Sequence, residues 1–321
     1  LNDRYKKLGI SEKTAQRVLA QAVTMGYVPN QNALSMRTGR SLTIGMLSSS
    51  LSEDWGAKIL VGALRAIQST QYLLRVEAVQ GAEEERGALE RLLKSRIEGL
   101  FCCNINPASE TDEFFKLSTE RYGVAVASTN CSLSFPHTRI ETDNSTAVMS
   151  LMEHLVGLGH RQIAHIGGDR SSGVSRERSE AFLRAVEHFN LKPDECPVRF
   201  SNWELDQART TARQLLEFSE PPTAILCVND TIAACVLQVA NELNLKVPSE
   251  LSVVGITNEH MSQLTVPSLT TVAIPCEEIG HTGMLALIDL IESKREIATR
   301  EITRYPCTPI FRDSSAAARS L

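Results

Sequence analysis

The sequence lacks the short motifs by which many enzymes bind or attack their substrates. It contains no G-x-S-x-G elbow, no phosphate-binding P-loop, no dinucleotide-binding glycine triplet and no H-E-x-x-H zinc helix. His160 and His165 lie at the start of and inside one apolar strand pattern, which favours a structural role over proton transfer. We therefore expect neither catalysis nor a bound cofactor.

The eight cysteines lack the spacing of a metal site and do not suit a small disulfide-stabilised domain. Cys102 and Cys103 lie in the apolar run 100–103, and Cys227 lies in the run 225–228, where buried strands are expected. The sequence also shows no signal peptide and no apolar run long enough to span a bilayer. We expect reduced thiols, no metal, no membrane partner and a cytoplasmic location.

Positive charge does not predominate over the chain as a whole, because the formal net charge is -5. This balance argues against a protein that binds nucleic acid over its whole surface. Basic residues do gather near the amino end, and any DNA contact must therefore be local. They are Arg4, Lys6, Lys7, Lys13 and Arg17, followed by Arg37 and Arg40.

Residues 26–47 join this short basic segment to a much longer segment of alternating strand and helix patterns. Gly26 can adopt the left-handed conformation that ends a helix, and Pro29 suits the first turn of another. The short helix predicted over residues 30–38 has too few apolar positions to fold alone. Its Met36 has Arg37 and Arg40 close by in the sequence, as in proteins that insert an apolar side chain between base steps. On these residues alone, a polar linker is the alternative.

Apolar strand patterns alternate with helical patterns from residue 41 onward. Such alternation is typical of parallel sheets covered by helices on both faces. A seam at residues 141–144 divides the pattern into two similar halves, so we predict an α/β fold with two doubly wound parallel-sheet lobes. The predicted strands are 42–48, 73–79, 97–104, 124–128, 162–167, 223–229, 251–256 and 269–273. The predicted helices are 58–70, 83–95, 110–121, 146–157, 176–189, 206–217, 230–243 and 277–293.

A series of short motifs occurs in order along nearly the whole chain. They are Tyr-Val-Pro-Asn at 27–30, Arg-Thr-Gly-Arg at 37–40, Thr-Ile-Gly at 43–45, Gly-His-Arg at 159–161, Ile-Ala-His-Ile-Gly-Gly at 163–168, the segment 175–178, Pro-Pro-Thr-Ala at 221–224, Val-Asn-Asp at 228–230, Val-Pro at 247–248, Leu-Ser-Val-Val-Gly at 251–255 and Leu-Thr-Thr-Val at 269–272. In order and spacing this series resembles the lactose-repressor (LacI/GalR) family of bacterial transcription regulators. The resemblance implies a ligand-responsive regulator, most often a repressor, with a periplasmic-binding-protein-like core.

The resemblance also implies how the chain divides into domains. Residues 1–40 would be a partial helix-turn-helix headpiece and hinge helix, because residues 1–2 match only the end of a recognition helix. The first lobe would comprise residues 41–142 plus about 273–300, and the second lobe residues 143–272 plus about 301–313, followed by a tail at 314–321. The resemblance also implies a twofold homodimer formed by the large cores, because the family pairs two hinge helices across a twofold axis. The tail lacks the leucine heptad of a coiled coil, so we expect no coiled-coil tetramer.

Ligands of open parallel α/β sheets bind beyond the carboxyl ends of the strands. Six side chains expected at such positions also match effector contacts of the resembling family: Trp55, Thr129, Arg178, Trp203, Asn229 and Thr257. The two tryptophans, the only ones in the chain, would provide flat surfaces for a planar or polyhydroxylated ligand. By resemblance, the expected DNA contacts are Tyr27, Asn30, Ala33, Met36 and Arg37, with Met36 entering the minor groove.

The expected ligand cleft departs from the family pattern at two positions. Thr129 and Thr257 occupy sites where the family usually has aspartates that bind sugar hydroxyls, whereas Arg178 is retained. A cleft that loses two negative charges and keeps its cation favours an anion, so we expect a sugar acid or sugar phosphate. A neutral sugar is the alternative, with Asn130, Asn258 or Glu259 replacing the missing acids.

Two rival functions share this type of fold. A solute-binding protein for sugar uptake would need an export signal and would have no use for residues 11–40. An enzyme would need a nucleophile or an acid-base pair, which the motifs do not supply. We therefore expect a regulator that binds operator DNA and a small sugar-like effector.

Overall fold

The computed structural model describes residues 9–27, 35–36, 38–293 and 301–318. The chain forms two compact units, Leu1–Leu42 and Thr43–Leu321. The first unit contains helix α1 (Glu12–Thr24), and the second contains all of the β-structure within the described ranges.

Helix α1 begins and ends where its flanking residues dictate. The N–H of Thr14 donates to the Ser11 hydroxyl over 3.3 Å, which caps the amino end as predicted. Gly26 follows the helix in the left-handed conformation with φ 61°, and the N–H of Tyr27 donates back to the carbonyl of Ala22. No α1 side chain is buried within the described residues, so the apolar face of the helix is uncovered there.

The first lobe is a six-stranded parallel sheet. Its strands are β1 (Thr43–Ser48), β2 (Leu73–Ala78), β3 (Gly99–Cys103), β4 (Ala125–Thr129), β5 (Thr138–Thr142) and β11 (Glu301–Tyr305), in the order β11-β5-β4-β3-β1-β2. The central strand β3 is buried along its whole length. The helices of this lobe are α2 (Asp54–Ile67), α3 (Ala82–Lys94), α4 (Ser109–Tyr122) and α9 (Cys276–Ser293).

Helices α2 and α9 pack against each other through two glycines. A β-carbon on Gly62 would overlap the carbonyl oxygen of Glu277, and one on Gly280 would overlap the carbonyl oxygen of Ile59. Glycine therefore allows the two backbones to come closer than any side chain would permit. This contact fixes α9, which follows a crossing from the other lobe, onto the first lobe.

The second lobe is built on a four-stranded parallel sheet. Its strands are β6 (Ile163–Gly167), β7 (Val198–Phe200), β8 (Ala224–Cys227) and β9 (Ser252–Val254), in the order β7-β6-β8-β9. Beside β9 lies an antiparallel pair, β10 (Thr271–Ala273) and β12 (Thr308–Ile310), linked to it by a bridge between Val254 and Thr270. The helices are α5 (Asn144–Gly157), α6 (Gly173–His188), α7 (Leu205–Leu216) and α8 (Asp230–Glu242), with short 3-10 turns at Pro193–Glu195 and His260–Gln263.

The short helix predicted over residues 30–38 lies mostly outside the described residues. From residue 41 onward the predicted strands and helices all occur, with three kinds of difference. Helix α2 begins at Asp54 and not at residue 58. Strands β5, β7, β11 and β12 were not predicted: β7 and β12 have only three residues each, β11 is exposed, and β5 is buried but consists mostly of polar residues. The expected crossing into the second lobe near residue 301 differs as well, since β11 pairs with β5 in the first sheet. The crossing instead lies between Tyr305 and Thr308.

The cysteines are unpaired thiols, all of them buried except Cys307, which is half-buried. Burial raises the pKa of the Cys276 thiol to about 12 and that of Cys307 to about 11. Within the described ranges, no helix combines the length and apolar character needed to cross a bilayer. The same residues include no group of metal-ligating side chains arranged to hold an ion.

Candidate functional site

The six candidate effector residues occupy the carboxyl ends of the sheets or the segments that follow them. Thr129 is the last residue of β4, and Trp55 lies in the first turn of α2, after β1. In the second lobe the candidates follow successive strands: Arg178 on α6 after β6, Trp203 after β7, Asn229 after β8 and Thr257 after β9. Ligands of parallel α/β sheets bind at this edge.

Arg178 is a buried cation with two fixed protein acceptors. It is only 4% exposed, its Nε–H donates to Asn144 Oδ1 over 2.8 Å, and its Nη1 donates to the carbonyl of Val228 over 2.5 Å. Burial lowers the pKa of the guanidinium to about 10, so the group stays charged at neutral pH. Among the described residues Nη2 finds no acceptor, which leaves donors of this nitrogen for a ligand.

Asn144, which sequence reasoning did not single out, connects Arg178 to the crossing between the lobes. It is the first residue of α5, is buried, and donates from Nδ2 to Glu177 Oε2 over 2.8 Å. The N–H of the preceding Asp143 donates to the carbonyl of Tyr305, so two crossing strands are hydrogen-bonded here. The only signal in the sequence was the seam at 141–144, which indicated the boundary between the lobes but not that Asn144 binds Arg178.

The side-chain oxygen of Asn229 is hydrogen-bonded within the protein, whereas its side-chain nitrogen is available to a ligand. Its Oδ1 accepts the N–H of Ile232 over 2.9 Å and thereby caps α8. Its Nδ2 has no hydrogen bond to any residue that the structure describes. The preceding residue, Val228, accepts a hydrogen bond from Arg178 at its carbonyl, so Asn229 directly follows a residue that holds the guanidinium.

Asp230 is fully buried behind Asn229. Its Oδ2 accepts the N–H of Glu259 over 2.7 Å, and its Oδ1 accepts the Thr271 hydroxyl over 2.5 Å. Burial raises the pKa of this carboxyl to about 6, although both hydrogen bonds favour the charged form. Asp230 thus joins the β8 end to the loop after β9.

Thr257 lies beside a carboxylate that sequence reasoning treated only as an alternative. Its hydroxyl is 3.3 Å from Glu259 Oε1, while Glu259 Oε2 accepts the Thr231 hydroxyl over 2.9 Å. Glu259 is buried, and burial raises its pKa. In the same loop the N–H of His260 donates to Asp54 Oδ2 over 3.2 Å, a contact between the two lobes.

Thr129 also has an acid next to it. Glu141 is buried, accepts the N–H of Asn130 at Oε2 over 3.1 Å, and pairs with Arg139 at 3.0 Å. Thr129 itself is fully buried, and its hydroxyl has no partner in the described part of the chain. Glu141 and Glu259 thus place carboxylates next to Thr129 and Thr257, the two positions at which the family usually has aspartates.

The two tryptophans differ in their surroundings. The indole N–H of Trp55 donates to Glu53 over 2.6 Å at the amino end of α2. Trp203 is 38% exposed, has the left-handed backbone conformation with φ 63°, and lies against Gly168. Each ring therefore has a fixed position at the rim of its own lobe.

The candidate DNA contacts are only partly within the described residues. Tyr27 and Met36 are 58% and 87% exposed. Ser35 and Met36 are helical, and the carbonyl of Ser35 accepts the N–H of Gly39 over 2.9 Å. Asn30, Ala33 and Arg37 lie outside the described residues.

A separate pocket of about 560 Å³ opens between α2 and α9, next to the crossing at residues 274–275. Two of its polar groups already have protein partners, since Lys58 pairs with Asp54 and the Tyr305 hydroxyl donates to Thr282. None of the six candidate effector residues lines it. The lining residues are Lys58, Arg65, Ile274, Pro275, Cys276, Glu277, Glu278, His281, Thr282 and Tyr305.

Known proteins resemble this chain over most of its length. A family model described as a periplasmic binding protein-like domain matches residues 152–315, just over half of the chain. The HTH-type transcriptional repressor PurR of Aliivibrio salmonicida is 25% identical over 289 residues, covering 89% of this chain and 85% of that protein. The repressor CytR of Escherichia coli K12 is 24% identical over 323 residues, covering 96% and 89%.

A solved structure agrees with these relatives. The Lac repressor dimer bound to operator and the anti-inducer ONPF superposes with a TM-score of 0.79 at 25% identity, covering 91% of this chain and all of that one. These matches run through both lobes and reach the headpiece region, which the sugar-uptake and enzyme alternatives do not explain. The chain belongs to the lactose-repressor (LacI/GalR) family of transcription regulators, a family of non-enzymatic proteins whose core is a periplasmic binding protein-like domain.

Proposed function

We propose that this regulator is a repressor that binds operator DNA through its amino-terminal segment, in the cytoplasm, and a small sugar-like effector through its core. Effector binding at the lobe edges would control the hinge helix. The names of the relatives support repression, since both PurR and CytR are repressors. The Lac repressor neighbour supports the pairing of operator and effector in one molecule.

The observation that carries the effector proposal is the arrangement of donors around Arg178. Two acceptors hold its guanidinium in place, Nη2 remains available, and Asn229, whose Nδ2 is also available, follows the Val228 that accepts from Arg178. Fixed donors of this kind suit the oxygen atoms of a sugar, because no further ordering of the protein is needed when the ligand binds. Trp203 and Trp55 would stack on the apolar faces of the ring.

The charge of the effector is the finer question. Arg178 by itself favours a sugar acid or sugar phosphate, since bonds between a guanidinium and an anion contribute roughly 1.5 to 3 kcal/mol each. Glu141 and Glu259, however, place carboxylates beside Thr129 and Thr257, where they would repel an anion and accept hydroxyl groups. We infer that a neutral polyhydroxylated sugar fits better, with the sugar acid or phosphate as the rival.

A thermal-shift screen with matched ligands tests this proposal, because a ligand that binds only the folded state raises its apparent stability. The pairs are D-ribose with ribose 5-phosphate, D-glucose with gluconate, and D-glucose with glucose 6-phosphate. We expect the neutral member of a responding pair to give the larger shift. A larger shift from the acid or phosphate would instead establish the anionic class.

Calorimetry with the responding sugar then tests the site itself. Arg178→Ala should abolish measurable binding, whereas Arg184→Ala, an exposed arginine on the same helix, should leave it unchanged. Equal affinity in wild type and Arg178→Ala would show that the effector binds elsewhere.

We also propose that the core forms a twofold symmetric homodimer. Helices α2 and α9 pack together and leave Val61, Leu64 and Leu285 each at least 40% exposed. A second copy would cover such a face. Sedimentation should give a dimer for wild type, a monomer for Leu64→Glu, and a dimer for Leu117→Glu, which alters a more exposed leucine on α4. A stable wild-type monomer at micromolar concentration contradicts the proposal.

A further inference from the structure

We propose that Gly168 is a positioning residue that fixes the indole of Trp203 at the height needed to stack on the effector. This inference rests on the proposed function only for the role of the indole, which is to stack on the effector. The contact between the two residues is independent of any ligand. Gly168 follows the last residue of β6, and Trp203 lies beyond β7, the neighbouring strand in the sheet.

The backbone of Trp203 is in a conformation that a bulky residue rarely adopts. Asn202 and Trp203 are consecutive left-handed residues, with φ 50° and 63°. Left-handed backbone at a residue other than glycine is strained and persists only where surrounding contacts enforce it. Strain of this kind at a large aromatic residue indicates that the surrounding contacts hold its ring at a defined position.

The surrounding contacts pin this loop to the β6 end. The N–H of Ser201 donates to the carbonyl of Gly167 over 3.0 Å, and the N–H of Asn202 donates to the carbonyl of Gly168 over 3.1 Å. Gly168 is held from its other side, because its N–H donates to the buried hydroxyl of Ser175 over 2.9 Å. Neither segment can retreat without losing one of these hydrogen bonds.

The space at Gly168 is occupied by the indole itself. A β-carbon there would overlap Cε2 and Cζ2 of Trp203 and would lie 2.6 Å from Cδ2. The φ of Gly168 is not in the left-handed region, so glycine is needed for space and not for backbone conformation. One face of the ring therefore rests directly on the Gly168 main chain, while the 38% exposure of the side chain keeps part of it open.

Even the one methyl group that alanine would add at position 168 would displace this ring. With both backbones pinned, the clash can be relieved only by rotation of the Trp203 side chain, which would lift or tilt the indole. A ring ligand that stacks on the indole would then meet it at the wrong height. Gly168 thus acts through Trp203, without needing to touch the effector.

Acrylamide quenching of the Trp203 emission tests the contact without any effector. The Trp55→Phe background leaves Trp203 as the only tryptophan. In this background Gly168→Ala should increase the quenching constant and shift the emission to longer wavelength, because the ring loses its support. Gly173→Ala is the matched control, since a β-carbon there meets no atom within 4 Å, and it should change neither quantity. An unchanged quenching constant in a folded Gly168→Ala protein overturns the proposal.

A second variant covers the case in which Gly168→Ala fails to fold. Combining it with Trp203→Leu removes the ring that the methyl group would strike, so folding and the thermal midpoint should recover. Failure of the double variant to recover would mean that the clash lies elsewhere, which also overturns the proposal. Neither result bears on whether a sugar binds, which the ligand screen and Arg178→Ala decide separately.

Discussion

The Nε–H of Arg178 donates to Asn144 Oδ1 across 2.8 Å, which ties the main cation of the candidate effector site to the first residue after the crossing between the lobes. The orientation of the Asn144 amide is determined, because its other end donates to Glu177. A shift of the crossing strands would therefore move Arg178, and a ligand held by Arg178 would resist that shift. This relationship offers a physical link between effector binding and lobe movement.

Asn144→Ala should lower the free energy of unfolding by about 1–3 kcal/mol, because it leaves a buried, charged donor without its acceptor. Chemical denaturation measures the change, and Asn241→Ala, at an exposed position of α8, provides the control. In an Arg178→Leu background the cost of Asn144→Ala should largely disappear. An equal cost in both backgrounds would show that Asn144 does not act through Arg178.

Asp230 should make the protein less stable as pH rises from about 4 to about 6. Its pKa is raised by burial from 3.8 to about 6 in the folded state, so the folded protein binds the proton more tightly than the unfolded chain does. The stability that this proton contributes is fully present below the unfolded pKa and is lost as pH passes through the folded pKa.

The comparison of wild type with Asp230→Asn isolates this effect, since the amide does not titrate. The stability of wild type relative to the variant should fall by on the order of 3 kcal/mol between pH 4 and pH 7. Unfolding in urea at a series of pH values measures it. A relative stability that stays constant, or that rises with pH, contradicts the raised pKa.

Gly62→Ala should destabilise the core strongly, because the new methyl group would meet the backbone of α9 and no flexible side chain. Overpacking typically costs about 1–3 kcal/mol, and a clash between two backbones belongs at the upper end or beyond. Gly157→Ala is the matched control in a helix, since its β-carbon would meet nothing within 4 Å. Thermal melts should show a large drop for the first variant and none for the second. Similar melting of both would rule out the close approach of α2 and α9.

Met36→Asp should weaken operator binding in a protein with a complete helix-turn-helix, while leaving sugar affinity unchanged. Met36 is 87% exposed, and an aspartate there would bring negative charge to the minor groove and remove an apolar wedge. Fluorescence anisotropy with an operator fragment selected from the host genome measures the effect. Met25→Asp introduces the same charge at another exposed methionine of the segment and should weaken binding less. Equal losses of operator affinity in the two variants would show that the added negative charge causes the effect, and not the loss of an apolar wedge at Met36.

The sequence by itself determined those parts of the fold that depend on local patterns. Ser11 and Gly26 delimit α1 as predicted, because capping acts within a few residues of the helix end. The apolar runs of the central strands were equally clear. Strand β11 was missed because an exposed edge strand has no apolar pattern, and the crossing between the lobes was misplaced as a result.

Only the tertiary structure decided the chemistry of the candidate site. Sequence position placed Thr257 beyond a strand end, and the resemblance singled out Arg178, but the partner of Arg178 is 34 residues away, and no local pattern records that pair. Sequence position also could not show which carboxylate lies beside Thr257: the loop conformation brings Glu259 within 3.3 Å of its hydroxyl, and burial raises the pKa of Glu259. Burial and contacts between distant segments arise only when the chain folds, because they depend on which surfaces exclude water from one another.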